Sequence, residues 1–189
     1  MDYQDLLERV LADERYKNNI EFEYDQPHSG HPEGKVKYHI AELEANLERL
    51  KYRLSSEEDY WKLKFLIHVH DTFKVKASQA GVPTTDPHSH ESLARAFASE
   101  FTNDTDLLNI IQYHDENYTL WKQYKSKGHY DNGWFKFLLN TIQDWDLFLA
   151  FTIIDGNTKG KDIEKLAWFI NQVKLYKQTM VDETWVSLT

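Results

Sequence analysis

Apolar residues recur along the chain at helical rather than alternating spacing, with one short exception from Ile20 to Tyr24. The pattern predicts an all-α chain. A first helix is expected from about Tyr3 to Tyr16. Pro27, Gly30, Pro32 and Gly34 then interrupt helix formation until a second helix opens near Lys37, with Ile40, Leu43, Leu47, Leu50 and Leu54 on one side. Ser55 or Ser56, followed by Glu58 or Asp59, offers the cap of a third helix holding Trp61, Phe65, Leu66, Val69 and Phe73.

Ala80 to Ser89 is a second connection rich in Gly, Pro, Thr and Asp, after which a fourth helix opens near His90 and carries Leu93, Phe97 and Phe101. Asn103 and Asp104 cap a fifth, with Leu107, Leu108, Ile110 and Ile111. Gly128 and Asp131-Asn132-Gly133 bracket a turn. The stretch from Trp134 to Ile154 is so nearly continuously apolar that it predicts a buried central helix, or two in series, ended by Gly156 and Gly160. A last amphipathic helix over about 161–178 carries Leu166, Phe169, Ile170, Val173 and Tyr176, and Trp185 is placed to dock the tail. With no internal repeat or composition break, residues 1–189 are expected to form one compact multi-helix domain.

Composition sharpens the class. A chain of 189 residues can bury a substantial core, and an aromatic content of 14% supplies large rings for it. The formal charge of -9 comes without any long run of Lys or Arg, so a polymeric nucleic-acid partner is not expected. A small phosphorylated substrate stays compatible, because a divalent metal can supply the local positive charge that the whole chain lacks. The absence of Cys excludes thiolate chemistry, disulfides and Cys-type metal sites. The opening residues are acidic where a signal peptide is basic, and no apolar run reaches bilayer length. No membrane partner and a cytoplasmic location are therefore expected, and the acidic surface with exposed aromatics permits a homodimer.

The candidate chemistry lies among nine histidines. His39, His70 with Asp71, His90, His114 and Asp155 fall on five separate predicted helices or their ends, each flanked by core residues. One helix cannot surround an ion, so a metal site needs ligands converging from several elements in this way. Buried and unpaired, each polar group costs several kcal/mol, whereas a shared metal pairs them all. The His70-Asp71 dipeptide proves little alone: composition predicts about one such pair by chance, and His114-Asp115 is a second. Lys74 lies one helical turn after His70, where its ammonium either meets a substrate phosphate or remains a solvated surface group. His68 and His88 precede candidate ligands by two residues, an offset that turns a helical side chain roughly 200° away, and read as a structural and a loop histidine. His28 and His129 read as solvated, and so does His31 unless it touches substrate. Trp121 and Tyr124 are the aromatics best placed to wall a nucleobase pocket.

A family resemblance follows from the ordered motifs. His31-Pro32-Glu33-Gly34, followed by His39, resembles the segment that opens the HD domain of bacterial CCA-adding enzymes. His70-Asp71-Thr72-Phe73-Lys74 resembles the His-Asp-x-x-Lys signature of the HD superfamily of metal-dependent phosphohydrolases, with Phe73 replacing the usual Gly. His90-Glu91 resembles its His-Glu motif, His114 falls where a further histidine follows an Ile-rich helix, and Asp155-Gly156-Asn157-Thr158-Lys159-Gly160-Lys161 resembles its closing segment. The likeness runs from about His31 to Lys161. The nucleotidyltransferase half of a CCA-adding enzyme and the Gly-Tyr-Pro element of cyclic-dinucleotide phosphodiesterases are both missing, so the resemblance implies a free-standing HD domain.

The resemblance implies a phosphomonoesterase or phosphodiesterase acting on a small phosphorylated substrate, a nucleotide or a related metabolite. His39, His70, Asp71 and Asp155 would hold one divalent metal, and His90 and His114, with Asp71 as a bridge, a second. Manganese, magnesium, iron, nickel, cobalt and zinc are not distinguished. The metal lowers the pKa of water for in-line attack on phosphorus, with Asp71 and Lys74 catalytic and Lys74, Lys159 and Lys161 binding substrate. Glu91 and Asp115 are candidates for the proton donor. Two other readings share the motif order: a di-iron oxygenase, and a regulatory protein that keeps the fold without turnover.

Overall fold

The computed structural model describes residues 2–24, 32, 34–77 and 82–188. Asp2 caps the first helix, α1 (Tyr3–Ala12), by accepting from the N–H groups of Gln4 and Asp5. Asp13 then ends it: the residue is extended, and its carboxylate accepts from the N–H of Arg15 to start α2 (Glu14–Asn19). The single helix expected over Tyr3 to Tyr16 is thus two, because an Asp side chain that satisfies nearby backbone N–H groups competes with the helical ladder. The alternating stretch after it forms no strand among the described residues; it yields one antiparallel bridge, between Glu23 and Lys35.

The next helices begin close to where the pattern places them. α3 (Val36–Leu50) is followed by α4 (Glu57–Val69), where Ser56 Oγ accepts from the N–H of Asp59. α5 (His90–Ala98) is capped by Ser89, and α6 (Thr105–Tyr113) by Asp104. α7 (Glu116–Lys127), which the apolar pattern did not separate, buries only Leu120 and Trp121 among its large apolar side chains and ends on Gly128 in the left-handed region, φ 73°. The long apolar run resolves into α8 (Asn132–Thr141) and α9 (Trp145–Gly156), bent by 115°. The corner is held by Asp106, whose carboxylate accepts from the N–H groups of Gln143 at 2.9 Å and Asp144 at 2.8 Å, while Asp144 caps α9. α10 (Glu164–Lys174) follows, and Val181, Trp185 and Val186 bury the tail against the core.

The centre of the molecule is α9, buried along nearly its whole length, and α3, α4 and α10 pack directly on it. α4 also packs on α1, α3 and α6; α5 lies on α6, α6 on α8, and α7 on α10. Phe148, Phe151, Ile153 and Ile154 meet Leu43, Leu47, Leu63 and Leu66 in one continuous core. Removing one such ring costs about 3–5 kcal/mol. Polar ties fix the outer helices: Tyr3 Oη donates to Asp104 at 2.5 Å, and His68 lies between Tyr16 Oη at 2.5 Å and Glu44 at 3.2 Å. Among the described residues, no single helix is long and apolar enough to cross a membrane.

Candidate metal centre

Helix ends converge beside Phe151, and the histidines and carboxylates singled out in the sequence lie there. His39 is in the first turn of α3, where Val36, Ile40 and Leu43 are buried at helical spacing and carry the ring inward with them. His70 ends α4, whose last turn is buried all round, and Asp71 follows it. His90 opens α5, His114 ends α6, Asp115 starts α7, and Asp155 lies in the last turn of α9. The His70 ring packs edge-on against Phe151 at 5.1 Å and His114 at 5.0 Å between centroids.

Asp71 divides the cluster into two halves. Its Oδ2 faces His39 Nε2 at 3.8 Å and His70 Nε2 at 3.7 Å, and Asp155 Oδ1 lies 3.2 Å and 3.9 Å from the same two nitrogens. Its Oδ1 faces His90 Nε2 at 3.3 Å and His114 Nε2 at 3.5 Å, and Asp115 Oδ2 lies 3.6 Å and 3.9 Å from that pair. His39, His70 and Asp155 are one group able to hold a metal ion; His90, His114 and Asp115 are another; His70, Asp71 and His114 join them.

The tautomers explain why these contacts are long. His70 Nδ1 lies 3.1 Å from the Leu66 carbonyl and 3.2 Å from that of Ile67, and His114 Nδ1 lies 2.8 Å from the Ile111 carbonyl. A carbonyl only accepts, so each Nδ1 carries the proton, and in a neutral ring Nε2 is then a bare lone pair. Burial, more than any neighbour, holds the His70 pKa down to about 3, so that ring is neutral. A lone pair facing carboxylate oxygens repels them unless a cation lies between. Among the described residues, the Nε2 atoms of His70, His90 and His114 are buried without a hydrogen-bond partner, as the donor atoms of metal-ligating histidines would be. Protonation relieves part of this at His114, where burial opposes the charge but Asp115, Asp71 and Glu91 outweigh it and push the pKa up to about 9. No such relief reaches His70.

The carboxylates are held ionised. Burial opposes their charge, but Lys74 outweighs it at Asp71, Lys161 and His39 at Asp155, and Lys74 and His114 at Asp115, lowering all three pKa values. Lys74 Nζ donates to both oxygens of Asp71, at 3.1 Å and 2.8 Å, so it faces the site and not bulk solvent. Lys161 Nζ grips Asp155 at 2.8 Å and 2.9 Å. Lys159 lies outside the cluster: its side chain is exposed, and its backbone N–H donates to Glu42. Glu91, expected as a candidate proton donor, is buried against His90 Nδ1 at 3.2 Å, where its carboxylate orients that ring. Asp115 joins the groups able to hold an ion, a role the sequence pattern did not assign to it. Its signal was the repeat of the His-Asp dipeptide at the end of a second buried helix.

The remaining expectations sort by burial. His68 points away from the cluster into its Tyr16 and Glu44 contacts, while His88 and His129 are exposed. His28, His31 and Glu33 lie outside the described residues. Tyr124 stacks with Trp121 and Trp168, and beside them Tyr118, Trp121, Lys122, Lys125 and Ser126 line a groove of about 380 Å³. It begins one turn along α7 from Asp115. No protein-family model matches the chain, and no curated protein or solved structure is similar to it.

Proposed function

We propose that the chain is a metal-dependent phosphohydrolase of the HD superfamily, acting on a small phosphorylated substrate. The observation that carries this is His70 Nε2, a buried lone pair aimed at two carboxylates, with a second histidine pair facing the other oxygen of Asp71. Such a donor set, imidazole nitrogen with carboxylate oxygen in two linked halves, fits one or two divalent cations. When bound, cations of this kind supply Lewis-acid charge and lower the pKa of water, so that hydroxide is available at neutral pH. His39, His70 and Asp155 would hold the first and His90, His114 and Asp115 the second, with Asp71 shared. Leu66, Ile67 and Ile111 fix the histidine tautomers through their carbonyls, and Glu91 does so for His90.

Lys74 and Lys161, which hold Asp71 and Asp155, would be free to balance the equatorial oxygens of a phosphoryl group during in-line displacement if cations took up the carboxylate charge. A nucleotide is the substrate class whose base would use the flat walls that Tyr118 and Trp121 offer along α7. A di-iron oxygenase would use the same paired halves, but two lysines bound directly to the ligand carboxylates favour phosphate chemistry. Elemental analysis of protein purified without chelators, then a phosphatase and phosphodiesterase panel with added manganese, magnesium, nickel or cobalt, separates these readings. Asp71→Ala should weaken metal binding by more than about 100-fold, beyond what losing a partner behind a ligand costs, and abolish turnover while the far-ultraviolet spectrum stays helical. Unchanged turnover in that variant rejects the mechanism, and bound iron with oxygen consumption supports the oxygenase.

A further inference from the structure

Lys165 stands in the first turn of α10, between the start of α7 and the end of α9, both of which pack on α10. Gly156 sets this approach. A Cβ at that position would lie 2.5 Å from Leu166 Cδ2, so the missing side chain lets α10 settle against the end of α9. The contact brings Lys165 to the margin of the ligand cluster, within the field of Lys161, Asp155 and Asp115.

The side chain is 7% exposed. Lys74 and Lys161 each hold a carboxylate, but among the described residues no acceptor lies within hydrogen-bond or ion-pair distance of Lys165. Its ammonium instead lies 5.4 Å from the centre of the Tyr118 ring. Its carbon stem is covered, while the ammonium keeps some contact with solvent and is open to an incoming anion. Burial and the neighbouring Lys161 charge lower its pKa. Tyr118 also lines the groove along α7, so the Lys165 ammonium lies against one wall of that groove.

We propose that Lys165 is a phosphate-binding residue of this site, its ammonium taking a non-bridging oxygen of a phosphate monoester whose organic part lies along Tyr118 and Trp121. No motif in the sequence points to this residue. The inference rests on the metal-centre reading, because phosphate approaches Asp71, Asp115 and Asp155 favourably only when cations offset their charge.

Two successive titrations of the full chain test it: manganese into metal-free protein, then inorganic phosphate into the manganese-loaded protein, for wild type, Lys165→Met and Lys165→Arg. Lys165→Met is expected to bind manganese as wild type does and phosphate at least about tenfold more weakly, the loss of one charge-assisted hydrogen bond. Lys165→Arg, which keeps the charge, should recover most of that affinity. The metal-free methionine variant should melt close to the wild-type temperature, since among the described residues the substitution breaks no ion pair or hydrogen bond. Undiminished phosphate affinity in Lys165→Met with manganese binding intact overturns the inference and leaves the metal centre standing. A lowered melting temperature with unchanged phosphate affinity assigns Lys165 a purely structural role and also overturns it. Failure of wild type to take up manganese removes the metal centre and this inference together.

Discussion

At His70 the side chain has no neutral way to satisfy itself. Its Nδ1 proton is held by backbone carbonyls, burial keeps the ring uncharged, and Nε2 faces Asp71 and Asp155. A residue in that position is legible in the sequence only as a histidine among Phe65, Leu66 and Ile67. What the one-dimensional pattern lacked was the partner on the far side, and so Asp115 reads there as a candidate proton donor and not as a ligand. Lys74 shows the opposite case. Spacing left it either on the site or in solvent, and its two bonds to Asp71 decide for the site. Lys74→Ala is therefore expected to leave metal content intact and to lower kcat by about 10²–10³-fold, the usual effect of removing one donor to transition-state charge. Steady-state kinetics on metal-loaded protein check this, and unaltered kcat removes Lys74 from catalysis. Lys159 and Lys161 were equivalent in sequence, but the turn after α9 sends one outward and the other onto Asp155.

At the scale of the helices, caps were the most readable signals. Ser56 and Asp104 start α4 and α6 as their residue types predict, because their side-chain oxygens satisfy N–H groups that the first turn leaves open. Asp13 was misread for the same reason: an Asp inside an apolar repeat breaks the helix when its carboxylate finds a local N–H. α7 escaped notice because its buried positions include Glu116 and Asn117, polar residues that serve the site's surroundings and not an apolar stripe.

Asp104 also carries a pH dependence. Burial opposes its charge, but the Tyr3 hydroxyl, the N–H of Leu107 and Lys62 outweigh it, so the folded pKa lies below the ordinary carboxylate value. Its stabilisation is present above the unfolded pKa and disappears as the pH falls through the folded one. Asp104→Ala should cost about 1–2 kcal/mol near neutrality, from the cap and the lost partner of Tyr3. The gap between wild type and Asp104→Asn should narrow as the pH is taken below about 4, as read by urea unfolding. Gly156→Ala tests the α9–α10 contact. It should destabilise by about 1–3 kcal/mol, the range for overpacking a filled core, and unchanged urea unfolding would show that Leu166 has room to move.

Across the whole molecule, the all-α class was legible because helical spacing dominates and the alternating stretch is too short to make more than one bridge. The buried run from Trp134 to Ile154 identified the central element, but its 115° corner depends on Asp106, a residue about 40 positions earlier, and no local pattern carries that. The same non-locality governs the site, which draws on residues from His39 in α3 to Asp155 in α9 and is built from helix ends, where a small side-chain set can converge without breaking the core. An acidic chain with a formal charge of -9 thus gathers Lys74, Lys161 and Lys165 around one carboxylate cluster.

The most direct test is anomalous scattering from crystals of the full chain grown with manganese. The account predicts a peak within about 2.0–2.3 Å of His70 Nε2, shared with His39, Asp71 and Asp155, and a second between His90, His114 and Asp115 if the site is dinuclear. Crystals that carry manganese elsewhere, with no peak at His70 Nε2, would contradict it.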